Sequence, residues 1–110
     1  MIYGVGVDIV KVSRFDDMSD AFLHRVFTER EREYIKSAQT AAGIFAAKEA
    51  VAKALGTGFT GGISPQSIEI LHEKNGRPYA VLQKNDVSIH ISISHSATDA
   101  IAFAVLGEPM

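Results

Sequence analysis

Three groups of residues in this 110-residue chain have types and spacings that could do chemistry. Asp8 lies in GVGVDIV (4–10), on the strand face that also carries Gly4 and Gly6. A carboxylate there must be solvated, paired or bound to a cation, because unpaired burial costs several kcal/mol. The two glycines open that face to close approach by a backbone or a ligand. Lys48, Glu49 and Lys53 lie in FAAKEAVAKAL (45–55), where Glu49 and Lys53 are one turn apart and share a helix face with Phe45. Such a pair is either a surface ion pair or a carboxylate and an ammonium aimed at a metal–phosphate group. A hard ion such as Mg²⁺ suits the second reading, since it takes one or two carboxylates and fills its octahedron with water and phosphate oxygens. Ser94-His95-Ser96 ends an apolar strand amid hydroxyls, where the histidine could bind phosphate, act as a base or simply be structural. Neighbouring strand residues point to opposite faces, so this Ser-His pair is not a nucleophile and its base.

Gly56-Thr57-Gly58 and Gly61-Gly62 follow the helix directly. Their amides could cradle phosphate, although the helix C-terminus behind them favours a cation. The loop is not a P-loop, because no strand precedes it and no Gly-Lys-Ser/Thr closes it; a plain connector is the other reading. His24, His72 and His90 have no partner spacing that suggests a metal site and are read as background.

These groups need elements to hold them. Residues 2–10 alternate with period two and read as a strand. DAFLHRVF (20–27) reads as a short helix with Asp20 as its N-cap. Thr28-Glu-Arg-Glu31 is a capping box that starts a helix running to about Ser37. AAGIFAAKEAVAKAL (41–55) reads as the long helix, stopped by Gly56. Two alternating runs around Asn75-Gly76 (67–82) read as a hairpin with a type I′ turn. Residues 87–95 and 100–106 read as two more strands, joined by Ser96-Ala97-Thr98-Asp99. The expected architecture is α+β: an antiparallel sheet against helices, with one long central helix, in one domain over 1–110.

Composition limits the function. With 11 Lys+Arg against 13 Asp+Glu, the net charge is −2, which argues against nucleic acid or an anionic membrane as the main partner. Hydrophobic residues make up 46% of the chain, ordinary for a globular protein and too many for a disordered one. There is no cysteine, which excludes a disulfide scaffold, a thiolate zinc site and a cysteine nucleophile. No apolar run approaches the roughly 20 residues of a membrane span, and no basic region precedes the first apolar stretch. A soluble cytoplasmic domain is expected. Residues 1–55 hold eight Lys/Arg and eight Asp/Glu, against three and five in 56–110, so chemistry and partner contacts are expected in the first half and sheet in the second.

GVGVDIV, then FAAKEAVAKALGTG, then NGRPY, then HISISHS occur in one order over nearly the whole chain. Together they resemble the holo-(acyl-carrier-protein) synthase family, the small trimeric 4′-phosphopantetheinyl transferases. The resemblance implies that fold and a reaction that moves the phosphopantetheine arm of coenzyme A onto a serine of an apo acyl carrier protein, in support of fatty acid biosynthesis. It implies that Asp8 and Glu49 hold Mg²⁺ and that, with Lys53, they are the catalytic residues. Gly56, Gly58, His95, Ser96 and Thr98 would bind the coenzyme, the last three from a neighbouring subunit of a homotrimer. Arg14 and Arg25 would dock the acidic carrier. Family members commonly have arginine where this chain has Ile44, and Lys48 is the candidate to compensate. The segment from Tyr34 to Ala42 and the turn near Asn85-Asp86 look short for the family. The competing reading is an α+β oligomer that binds a nucleotide without catalysis, or a degenerate family member that lost catalysis with Ile44.

Overall fold

The computed structural model describes residues 1–59, 62–83 and 86–109. Three antiparallel strands form the main sheet in the order β1-β5-β4, with β1 at Ile2–Lys11, β4 at Ser88–His95 and β5 at Asp99–Gly107. Strands β2 (Ile68–His72) and β3 (Pro78–Leu82) pair in a separate hairpin. Helices α1 (Asp20–Val26), α2 (Glu29–Tyr34) and α3 (Ala38–Ala54) fall between β1 and β2. The expected α+β architecture with one long central helix is what the chain adopts. Among the described residues no helix is long and apolar enough to cross a membrane.

Helix α3 lies on one face of the main sheet, and small residues let it lie close. A side chain at Gly4 would put its Cβ 2.1 Å from the Ala54 carbonyl oxygen, and one at Gly6 would sit 2.0 Å from that of Ala50. The glycines of β1 therefore admit a helix backbone, not a ligand. Ala46, Ala47, Ala50 and Val51 of α3 are buried with Ala100, Ala102 and Ala104 of β5 in this core. The opposite face of the sheet is apolar and uncovered. Tyr3, Val5, Val7, Ile9, Ile101 and Phe103 are all exposed there, with Ile9 at 64% and Phe103 at 47%. Val7 pairs with Phe103 and Ile9 with Ile101, so these side chains form one contiguous stripe.

Several boundaries differ from expectation. The N-cap of α1 is Ser19, whose hydroxyl accepts from the Phe22 N–H at 3.1 Å; Asp20 is the first helical residue, where its charge favours the helix dipole. The Thr28/Glu31 capping box forms as expected. Helix α2 stops at Tyr34 rather than Ser37, because Ser37 is extended (φ −159°) and caps α3 through the Thr40 N–H. Helix α3 accordingly begins three residues earlier than its apolar period suggests. The hairpin loop is not a two-residue type I′ turn. The Glu73 carbonyl accepts from Gly76 N–H, and Glu73 N–H donates to the Arg77 carbonyl, both at 2.9 Å. The left-handed residue, Gly76 at φ +91°, is therefore the fourth of the turn. Gly61 and Asn85, singled out in the sequence, lie outside the described residues.

Candidate active site

Strand β1 and the C-terminal half of α3 bring Asp8, Glu49 and Lys53 together. Lys53 Nζ donates to Asp8 Oδ1 at 2.9 Å and to the Val7 carbonyl at 3.0 Å. The Asp8 carboxylate is only 15% exposed, whereas Lys53 is half exposed. Asp8 Oδ2 is buried and has no hydrogen-bond partner among the described residues. Burial and the Asp8 charge push the Glu49 carboxyl above its ordinary pKa, against the opposing pull of Lys53 and Arg14. Two carboxylates in mutual repulsion, one with an orphaned oxygen, are a fit for a hard divalent cation. Among the described residues no three His, Cys, Asp or Glu gather as a metal site. Most of the cation's ligands would thus be water and substrate oxygens, as suits magnesium better than zinc.

Arg14, in a short 3₁₀ turn (Val12–Phe15) after β1, lies beside this cluster. Its guanidinium stands 5.4 Å over the Phe45 ring and 5.9 Å over Phe15. Arg25 of α1 stands 5.7 Å over Phe22. Phe15 touches both Phe45 and Phe22, with ring centroids 5.4 and 6.1 Å apart. One aromatic cluster thus holds both arginines, a link invisible to helical spacing.

Lys48 does not belong to this site. It is 1% exposed and faces the opposite side of α3, where its ammonium donates to Glu31 Oε1 (2.6 Å), Glu31 Oε2 (2.9 Å) and the Ile68 carbonyl (2.5 Å). All three ammonium protons are engaged, so Lys48 cannot meet a coenzyme phosphate or replace a missing arginine. Its partner Glu31 lies 17 residues away, beyond the reach of local spacing. That carboxylate is fully buried and also accepts from the Thr28 and Ile70 N–H groups.

Gly56 and Gly58 have left-handed backbones, with φ of +85° and +59°. Their amides donate to the Lys53 and Ala52 carbonyls at 2.9 and 3.1 Å and cap the end of α3. They are therefore not free to cradle phosphate as amide donors. A Cβ at either position would meet nothing within 4 Å, so their Cα faces remain open.

His95, Ser96 and Thr98 form a second group. Ser96 Oγ accepts from the Thr98 and Asp99 N–H groups, both at 3.2 Å, and Thr98 Oγ1 donates to Asp99 Oδ2 at 2.8 Å. His95 lines a cavity of about 220 Å³ with Tyr34, Thr40, Ile44, His72 and Ile93. That cavity sits at the N-terminal end of α3, about two turns of helix from Glu49. Ile44 is buried at its wall. The sequence thus points to two places on the chain, and the fold keeps them apart.

Comparison with known proteins decides the family. The model of the 4′-phosphopantetheinyl transferase superfamily matches residues 4–106. A holo-(acyl-carrier-protein) synthase from Clostridium botulinum is 44% identical, over 96% of this chain and 98% of its own. The chain belongs to the holo-(acyl-carrier-protein) synthases. Solved structures of that family superpose on it closely. The enzyme from Bacillus anthracis, in complex with CoA (3′,5′-ADP), has a TM-score of 0.89 and 38% identity, covering 98% of both chains. That from Helicobacter pylori, in complex with coenzyme A, has a TM-score of 0.87 and 32% identity, covering 94% of this chain and 99% of its own. The Clostridium alignment runs over 121 positions, more than the 110 residues here, so this synthase-family chain is the shorter. Only Ile35–Ser37 separates α2 from α3 in it.

Proposed function

We propose that this chain transfers the 4′-phosphopantetheine arm of coenzyme A to a serine hydroxyl of an apo acyl carrier protein, with Mg²⁺, in support of fatty acid biosynthesis. The observation that carries this reading is the Asp8–Lys53 pair beside Glu49, with Asp8 Oδ2 buried and unpartnered. The serine hydroxyl gives up its proton to water as its oxygen forms a new bond to the phosphorus bearing the pantetheine arm. The bond from that phosphorus to the bridging oxygen breaks, and adenosine 3′,5′-bisphosphate leaves.

Asp8 and Glu49 would hold the Mg²⁺. When bound, it neutralises diphosphate charge and polarises the phosphorus. Asp8 also holds Lys53 by an ion pair, so the ammonium is already oriented when charge builds on the phosphoryl oxygens. Gly56 and Gly58 offer a surface without side chains for the coenzyme to pass along. Arg14 and Arg25, fixed on one aromatic cluster, present two cations to an acidic carrier, which raises the rate of encounter.

His95, Ser96 and Thr98 would bind coenzyme phosphate in the active site of a second copy. The uncovered stripe of Tyr3, Val5, Val7, Ile9, Ile101 and Phe103 supports that assembly, since water-exposed apolar patches of this kind are interaction surfaces. A homotrimer with sites between subunits uses both. Release of adenosine 3′,5′-bisphosphate on mixing protein, coenzyme A, Mg²⁺ and apo carrier, followed by chromatography, tests the reading. Wild type should release it and Asp8→Asn should not; equal release by both would remove Asp8 from the chemistry.

A further inference from the structure

The cavity at the N-terminal end of α3 is lined by two imidazoles, those of His72 and His95. Neither lysine nor arginine lines it among the described residues. The side chains of Thr40 and Gln39 supply polar groups on one wall, and Ile44 and Ile93 make the apolar one. His72, at the end of β2, is stacked face to face on Tyr34 of α2, with ring centroids 3.9 Å apart and planes 5° from parallel. Its Nδ1 is buried and has no hydrogen-bond partner among the described residues. An aromatic stack fixes the ring, and the orphaned nitrogen leaves one polar function of that ring unanswered.

We propose that His72 is a coenzyme-binding residue: with His95 it receives the phosphate monoester at the nucleoside end of coenzyme A, and it takes up a proton as that group binds. This deepens the transferase reading and rests on it, in particular on His95 as a phosphate contact. The metal-side cluster of the neighbouring copy, whose active site this chain's His95 serves, would hold the diphosphate, so the monoester is the coenzyme anion left for a second, separate place. A guanidinium would bind it at any pH, but the wall position that the family resemblance reserves for arginine is Ile44, buried and uncharged.

The surroundings of His72 decide its charge. Burial holds its pKa below the ordinary value, so it is neutral near pH 7 before anything binds. From α2 it faces Tyr34, and Arg30 lines the groove on its other side with Tyr79 of β3. Arg30 is paired with Glu69 at 2.6 Å. Glu73 and Arg77 flank the hairpin loop, their main chains bonded to each other. From α3 the cavity receives no charged group, and from β4 it receives His95. Asp99, the carboxylate nearest to His95 in the turn, is engaged by Thr98 and lies 3.8 Å from Lys11. No carboxylate lines the cavity among the described residues, so an entering phosphate supplies the counter-charge that favours imidazolium.

The sign of the coupling is specific. A phosphate monoester has its own second pKa near 6, and a cationic site would make it release a proton. Charging of His72 does the opposite, so net uptake is the signature of the protein. Calorimetric titration of the full-length protein with coenzyme A, near neutral pH in two buffers of different ionisation enthalpy, reads this directly. We expect net proton uptake, and an affinity that falls on the order of tenfold from pH 6 to pH 8. His72→Gln should still bind coenzyme A, more weakly, with less proton uptake and a flatter pH profile. The wild type should show no uptake with 3′-dephospho-coenzyme A, which lacks the monoester. Uptake unchanged in His72→Gln, or unchanged with the dephospho compound, overturns the proposal while leaving the transferase reading intact. Absence of coenzyme binding at any pH overturns that reading and this inference with it.

Discussion

Replacing Lys48 with methionine should cost about 3–5 kcal/mol of folding free energy, although the residue adjoins the proposed metal ligand Glu49. Lys48 and Glu31 are 1% and 0% exposed, and their ion pair ties the middle of α3 to the start of α2 and to β2. Methionine keeps the volume but removes the cation paired with a fully buried carboxylate. That carboxylate still accepts from Thr28 and Ile70, yet its net charge is left uncompensated. A chain of this size loses roughly 4 °C of Tm per kcal/mol, so the midpoint should fall by about 12–20 °C. The second variant, Glu31→Gln with Lys48→Met, removes both charges and should recover at least about 2 kcal/mol of that loss. The assay is urea and thermal denaturation followed by circular dichroism, at one protein concentration because assembly shifts apparent stability. A cost below about 1 kcal/mol for Lys48→Met, combined with a selective loss of coenzyme binding, would refute the reasoning. It would return Lys48 to the phosphate site that the sequence first suggested.

Other perturbations test the site and the scaffold. Glu49→Gln should abolish turnover but raise the Tm of the metal-free protein. The raised pKa of Glu49 means the native state holds its proton more tightly than the unfolded state; metal-free stability therefore declines as pH rises from about 4.5 through the folded value. Mg²⁺ should raise the wild-type Tm, more strongly as pH climbs through that window, and should leave Glu49→Gln unmoved; an equal response of both would take Glu49 out of the metal site. Arg14→Glu should raise the KM for carrier protein far more than that for coenzyme A in steady-state kinetics, and equal effects would deny it a docking role. Gly6→Ala should cost about 1–3 kcal/mol or more in urea denaturation, because the new Cβ collides with the Ala50 carbonyl oxygen at 2.0 Å. A neutral result would mean that α3 does not lie as close to β1 as described.

Much of this fold could be read from local signals. The Thr28/Glu31 box, Gly56 after the long helix and the period-two strands each depend on residues within a few positions of one another. The helix starts at Ser19 and Ser37 were harder, because a capping serine competes with neighbouring Asp20 and with a continued helix. The site divides along the same line. Glu49 and Lys53 share a face by helical arithmetic, but that Asp8 joins them depends on which face of β1 the helix covers. Gly4 and Gly6 were equally compatible with a ligand and with a backbone, and only the packed helix distinguishes the two. Lys48 reads as a phosphate contact in sequence because its partner Glu31 lies 17 residues away on another helix. His72 gave no signal at all, since neither its stack on Tyr34 nor the cavity that His95 shares with it is local in sequence.

The central claim is a transfer reaction, and intact mass of the acceptor tests it most directly. The full-length protein is incubated with apo acyl carrier protein and coenzyme A, with Mg²⁺ in one sample and a chelator in the other, and the carrier is then weighed by mass spectrometry. The carrier should gain the mass of one phosphopantetheine arm, on its serine, only where Mg²⁺ is present. An unmodified carrier under every metal condition, from protein that is folded and binds coenzyme A, would contradict it and leave a nucleotide-binding oligomer in its place.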